Sequence, residues 1–86
     1  MNIQVLFFAS LREALGVEGL SLTLVDGTLA ELHARLADQL GDATRVLLED
    51  NVRMARNQVL QDADALSKLQ LVDGDELAFL PPVTGG

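Results

Sequence analysis

The stretch with the clearest chemical potential is Leu80-Pro81-Pro82-Val83-Thr84-Gly85-Gly86, at the carboxyl end of the chain. Proline lacks a backbone N–H and holds φ near −65°, so Pro81 and Pro82 end ladder pairing and project the last residues as a stiff arm. Extended, the residues from Pro81 to Gly86 span roughly 20 Å, enough to enter another protein's cleft. Gly85 and Gly86 carry no Cβ, which suits a narrow channel and leaves a terminal carboxylate unshielded. A carboxylate is a poor electrophile. A partner must activate it, most simply by adenylation with ATP, before a nucleophile can attack its carbonyl.

Other centres are weak beside this one. The chain contains no cysteine, which excludes disulfides, thiolate metal sites and cysteine nucleophiles. Its single histidine, His33, flanks a leucine stripe with no serine elbow or carboxylate cluster beside it, and reads as a surface or boundary residue. Asp73, Asp75 and Glu76 surround Gly74 with turn chemistry and lack the ligand spacing of a calcium loop, so no metal is expected. Glycine-rich phosphate loops are absent as well. The isolated chain is therefore expected to bind no cofactor and not to be an enzyme, which leaves the Gly86 carboxylate as the chemical centre. A net charge of −7 without a basic patch argues against nucleic acid. The acidic surface serves either solubility or a basic groove on a protein partner. No apolar run reaches membrane length, and the apolar start from Ile3 to Ala9 is short and lacks a basic leader. The expectation is no membrane and a cytoplasmic location.

Eighty-six residues make one domain, read as a folded unit over 1–80 and an extended tail over 81–86. Ile3, Val5 and Phe7 alternate with Gln4, Leu6 and Phe8, the pattern of a first strand; Leu6 and Phe8 lie on its second face, covered by local structure or by a partner. Ser10-Leu11-Arg12-Glu13 has capping-box spacing and predicts a short helix that Gly16 ends. Leu20, Leu22 and Leu24 mark a second strand, and Asp26-Gly27 its turn. Thr28-Leu29-Ala30-Glu31 is another capping box, after which Leu29, Leu32, Leu36 and Leu40 recur at helical spacing up to Gly41. This main helix should cross the sheet and lead to a strand parallel to the first. Asp42 to Asp50 reads as a partly helical connection, and Asn51 to Leu60 as one strand despite Arg56. Asp62 or Asp64 caps a helical turn, Asp73-Gly74-Asp75 reverses the chain, and Glu76 to Leu80 forms the last strand. The order predicts an α+β domain, a mixed sheet curled around one long helix.

Val5-Leu6-Phe7-Phe8-Ala9, Arg12-Glu13, Gly16, Asn57-Gln58, Asp73-Gly74-Asp75-Glu76 and Phe79-Leu80-Pro81-Pro82-Val83-Thr84-Gly85-Gly86 together resemble the small, sulfur-carrying subunits of molybdopterin synthase. The resemblance covers essentially the full length, and the Phe-x-Pro-Pro-Val-x-Gly-Gly ending is far more specific than Gly-Gly alone. It implies the β-grasp, ubiquitin-like fold. It also implies a cycle in which an E1-like adenylating enzyme, using ATP and magnesium, converts the Gly86 carboxylate to an acyl adenylate, and a sulfur donor then makes a thiocarboxylate. The tail enters the large synthase subunit, in an assembly of two small and two large subunits, and donates sulfur to cyclic pyranopterin monophosphate. In that family, residues matching Phe8, Leu60 and Leu80 form a partner-facing apolar patch; the competing role is a minor core under a loop. Arg12 matches a position near the adenylating enzyme, or simply pairs with a nearby acid. Arg56 departs from the family, which usually carries an apolar residue before Asn-Gln. Alternatives are a carrier of the same fold serving thiamine or tRNA thiolation, a protein modifier, and an interaction domain with an inert tail.

Overall fold

The computed structural model describes residues 1–82. Its strands are β1 (Asn2–Phe7), β2 (Gly19–Thr23), β3 (Arg53–Arg56), β4 (Val59–Gln61) and β5 (Glu76–Leu80), and its α-helices are α1 (Ala9–Leu15), α2 (Leu29–Leu40) and α3 (Ala63–Ser67). A 3-10 segment, Gly41–Leu48, follows α2. The five strands form one mixed sheet in the order β2-β1-β5-β3-β4. Strands β1 and β5 pair in parallel at the centre, and the other neighbours are antiparallel.

The alternating side chains of the strands divide the sheet into two faces. Val5 and Phe7 of β1, Leu77 and Phe79 of β5 and Met54 of β3 are buried in one cluster with Leu32 and Leu36 of α2. The Phe7 and Phe79 rings stack at 5.8 Å, tilted by 25°, and His33 meets the Phe79 ring at 6.0 Å. That half-buried contact puts His33 at the boundary, where burial lowers its pKa. Fully buried leucines such as Leu32 and Leu36 each contribute about 1.5–3 kcal/mol. Truncating Leu36 to alanine would cost about 2–5 kcal/mol by opening a cavity.

Capping explains where α2 starts. The Thr28 side chain accepts from the Glu31 N–H at 3.2 Å, as expected, but the Glu31 carboxylate reaches further back than a capping box requires. It accepts from the amides of Val25, Asp26 and Gly27 at 2.8–2.9 Å. The Val25 amide, followed by those of Gly27 and Asp26 and the charge of Arg35, lowers the Glu31 pKa against a smaller opposing effect of desolvation.

Three expectations are corrected. The first helix begins at Ala9 rather than after a Ser10 cap; its N-cap is Phe8, with no side-chain cap bond. The reason is that Phe8 still donates to the Phe79 carbonyl while its own carbonyl already accepts from Leu11 and Arg12. Residues 51–60 form a hairpin rather than one strand, because Asn57 (φ 49°) and Gln58 (φ 70°) both turn into the left-handed region that a two-residue hairpin turn requires. The strand after α2 is not the parallel partner of β1. That place belongs to β5, and β3 runs antiparallel on its far side.

Candidate functional site: an apolar groove at the base of the tail

Alternation that buries Phe7, Met54, Leu77 and Phe79 on one face necessarily turns Leu6, Phe8, Ala55, Ala78 and Leu80 to the other. Register then joins them across the sheet. Leu6 lies opposite Ala78, Ala78 opposite Ala55, and Ala55 opposite Leu60, a continuous apolar row over four strands. A second row places Arg53 opposite Leu80, with Phe8 bonded to the neighbouring Phe79 carbonyl at 3.1 Å.

These rows form a groove in two connected halves. One is lined by Phe8, Ala9, Arg53, Leu60, Leu80 and the two prolines Pro81 and Pro82. The other is lined chiefly by Leu6, Phe8, Ala55, Leu60, Ala78 and Leu80, with Gln58 and Glu76 at its edge. Phe8 is 44% exposed and Leu60 58%, while Leu80, Pro81 and Pro82 are half-buried. Large apolar side chains held in water around a floor of alanines are what a docking surface requires. The structure thus brings Phe8, Leu60, Leu80, Pro81 and Pro82 together. Val83, Thr84, Gly85 and Gly86 lie outside the described residues.

Arg12 does not join this groove. It sits on α1, half-exposed, and its guanidinium lies 3.7 Å from the Glu18 carboxylate. An exposed pair of that length contributes at most about 1 kcal/mol. Sequence reasoning had not singled out Ala55, Arg53 or Gln58 as groove residues. Their signal was the spacing Arg53-x-Ala55 followed by a turn, readable only once β3 and β4 are known to be a hairpin.

On the sheet face opposite the groove, where Arg56 stands across from Leu77 in register, the departure at Arg56 finds its physical account. Asp75 is 6% exposed, and its Oδ2 accepts from Arg56 Nη2 at 2.7 Å, from Arg56 Nε at 3.1 Å and from the Val72 amide at 2.9 Å. Its Oδ1 accepts from the Asn57 side-chain amide at 3.0 Å. Desolvation pushes the Asp75 pKa up, but the Val72, Asn57 and Arg56 donors and the Arg56 charge together outweigh it and hold the carboxyl below its ordinary value. Among the described residues no cluster of three or more histidine, cysteine or acidic side chains is arranged to hold a metal ion. No described helix is long and apolar enough to cross a membrane.

A mixed five-stranded sheet packed on one main helix, with an apolar groove on its open face, defines a β-grasp, ubiquitin-like protein. The chain belongs to the ThiS family, whose model matches residues 5–86. It is 41% identical over 85 residues to the molybdopterin synthase sulfur carrier subunit of Escherichia coli (strain K12), an alignment covering 98% of this chain and 99% of the relative. Among solved structures it resembles SAMP1 from Haloferax volcanii, with a TM-score of 0.81, 28% identity and full coverage of both chains. A second likeness is to the complex of subunits 1 and 2 of the molybdopterin-converting factor from Helicobacter pylori, with a TM-score of 0.71, 30% identity and full coverage of both chains.

Proposed function

We propose that this protein is the sulfur carrier subunit of a molybdopterin synthase, a sulfur-donating component with no catalytic site of its own. The observation that carries the reading is the apolar groove of Phe8, Leu60 and Leu80 at the point where Pro81-Pro82 leaves the sheet. It would seat the large subunit beside the base of a tail ending in Gly85-Gly86. The likeness to the Escherichia coli carrier subunit and to the two-subunit Helicobacter pylori complex supports that partner. The folded unit spans 1–80 and the delivery arm 81–86.

In the proposed cycle an E1-like adenylating enzyme holds ATP and magnesium. A Gly86 carboxylate oxygen attacks the α-phosphorus, pyrophosphate leaves, and an acyl adenylate results. A donor of sulfide-level sulfur then attacks the carbonyl, the carbon–sulfur bond forming as the carbon–oxygen bond to AMP breaks, to give a thiocarboxylate. Inside the large subunit the thiocarboxylate sulfur bonds to cyclic pyranopterin monophosphate, and water then cleaves the acyl carbon–sulfur bond and returns the Gly86 carboxylate. Each arm carries one sulfur and the dithiolene needs two, so two charged carriers serve each product, in keeping with an assembly of two small and two large subunits. The cycle belongs in the cytoplasm, and Arg12 is offered as a contact for the adenylating enzyme.

Intact mass after coexpression with an adenylating enzyme and a sulfur donor tests the chemistry. The expected product carries sulfur in place of one terminal oxygen and converts the pterin when the large subunit is added; an unchanged terminus would sink the proposal. The likeness to SAMP1 supports a second reading, a modifier or a carrier for another pathway, less strongly than the 41% relative supports the first. Lysine conjugates without pterin conversion would favour that second reading.

A further inference from the structure

Among the described residues, the non-glycine positions with positive φ are Ala9, Asn57 and Gln58. Ala9 and Gln58 both line the groove, and Asn57 adjoins Gln58. Left-handed backbone is disfavoured for residues with a Cβ, and such strain persists only where surrounding structure holds it. The Asn57-Gln58 turn needs positive φ at both central positions and contains no glycine, so its shape depends on outside contacts.

Those contacts converge on one side chain. The Asn57 amide group is used at both ends, donating to Asp75 Oδ1 at 3.0 Å and accepting from the Glu76 N–H at 2.9 Å. The Asn57 backbone N–H donates to the Glu76 carbonyl at 2.8 Å. Arg56 and Val72 fix the other Asp75 oxygen. Among the described residues no buried side-chain nitrogen or oxygen lacks a partner, and satisfied buried networks specify one geometry more than they add stability. Three positions past Asn57 stands Leu60, paired in register with Ala55 at the groove floor.

We propose that Arg56, Asn57 and Asp75 are positioning residues: they hold the Asn57-Gln58 turn, and through it Leu60, in the shape against which the large-subunit partner docks. This rests on the carrier reading above. Breaking the clamp at Arg56 leaves Asp75 without its fork of donors, frees the Asn57 amide and lets the turn relax toward negative φ, which moves Leu60 relative to Phe8 and Leu80.

Arg56→Met removes the guanidinium and keeps the aliphatic stem, while Arg56→Lys keeps the charge and provides a second variant. In the free chain, hydrogen exchange of the Asn57 and Glu76 amides should speed up by about tenfold in Arg56→Met with Val5 and Leu32 unchanged, and Arg56→Lys should restore most of the protection. Affinity for the purified large subunit, measured by calorimetry, should fall by about tenfold in Arg56→Met. Combined with Leu60→Ala, the two losses should be less than additive, because both act through one contact. Unchanged exchange at the turn, or fully additive losses, would overturn the proposal. An exchange response in a native chain that does not bind the large subunit would overturn the carrier reading and the docking role together, leaving only a structural clamp.

Discussion

Ala55 and Ala78 stand directly opposite each other in the antiparallel register of β3 and β5, and their methyl groups floor the groove between Leu6 and Leu60. Both are buried, at 8% and 7% exposure, because larger neighbours rise on either side. A partner side chain entering the groove must therefore sit on these methyls. Ala78→Leu would add carbons on the groove side and destabilise by about 1–3 kcal/mol. Affinity for the large subunit should drop at least about tenfold. Parallel thermal melts and calorimetry check this, and unimpaired binding would place the docking surface elsewhere.

Leu60 offers a cleaner separation of binding from folding. At 58% exposure it contributes little to the core, so Leu60→Asp should alter stability by about 0.5 kcal/mol. As an apolar anchor of an interface it should cost about 2 kcal/mol or more of binding. Leu80→Asp should act in the same direction with a larger stability cost, since Leu80 is half-buried at the end of the central β5. Urea melts set beside binding isotherms distinguish the two effects.

Acid should loosen the molecule through Asp75. Its folded pKa lies below the ordinary 3.8, so its contribution is fully present above 3.8 and is lost as pH falls through the depressed folded value. Glu31 acts with the same sign from its ordinary 4.5. Asp75→Asn should cost about 2 kcal/mol near neutral pH and flatten part of the acid limb below pH 4, leaving that of Glu31. Urea midpoints across an acid titration of both proteins measure it; parallel acid limbs would count against the assignment.

Gly27 is constrained twice. Its φ is 73°, and an added Cβ would lie 2.5 Å from the Leu71 carbonyl and 3.0 Å from the Gln70 side-chain nitrogen. The Leu71 amide donates to the Gly27 carbonyl at 2.8 Å, so the neighbour cannot move away without losing that bond. Gly27→Ala should destabilise by about 2 kcal/mol or more, read from denaturant midpoints.

Deleting Gly86 should abolish sulfur loading while the melting temperature stays unchanged. Mass spectrometry after coexpression with the activating enzyme checks this. A truncated chain that still supports molybdopterin formation would refute the role given to the terminal carboxylate.

The strands β1 and β5, the helix α2 and the alternate face carrying Phe8 and Leu80 were legible in the sequence because each depends on short-range periodicity. The start of α3 was legible to within two candidate caps, of which Asp62 is the one used, accepting from the Ala65 amide at 2.8 Å. Where sequence reasoning went astray, a distant partner had overridden a local signal. Ser10-Leu11-Arg12-Glu13 has the spacing of a capping box, yet the bond between Phe8 and Phe79 fixes the start of the helix ahead of it. Asn57-Gln58 lacks the glycine that advertises a hairpin, and its left-handed turn is held instead by Asp75, eighteen positions away.

Residue chemistry alone determined that the chain carries no cysteine and pointed to Gly86 as the proposed site of activation, since both depend only on which residues the sequence contains. Periodicity added the amphipathic elements, since burying one face of a strand or helix requires its pattern in the chain. Only the tertiary structure decided that β5 is the parallel partner of β1, and that Leu6, Ala78, Ala55 and Leu60 form one row. It also decided that Arg56 is the counterion of a buried carboxylate. Register, crossing order and buried ion pairs join residues far apart in sequence, and their energies depend on which strands meet rather than on what any single strand contains.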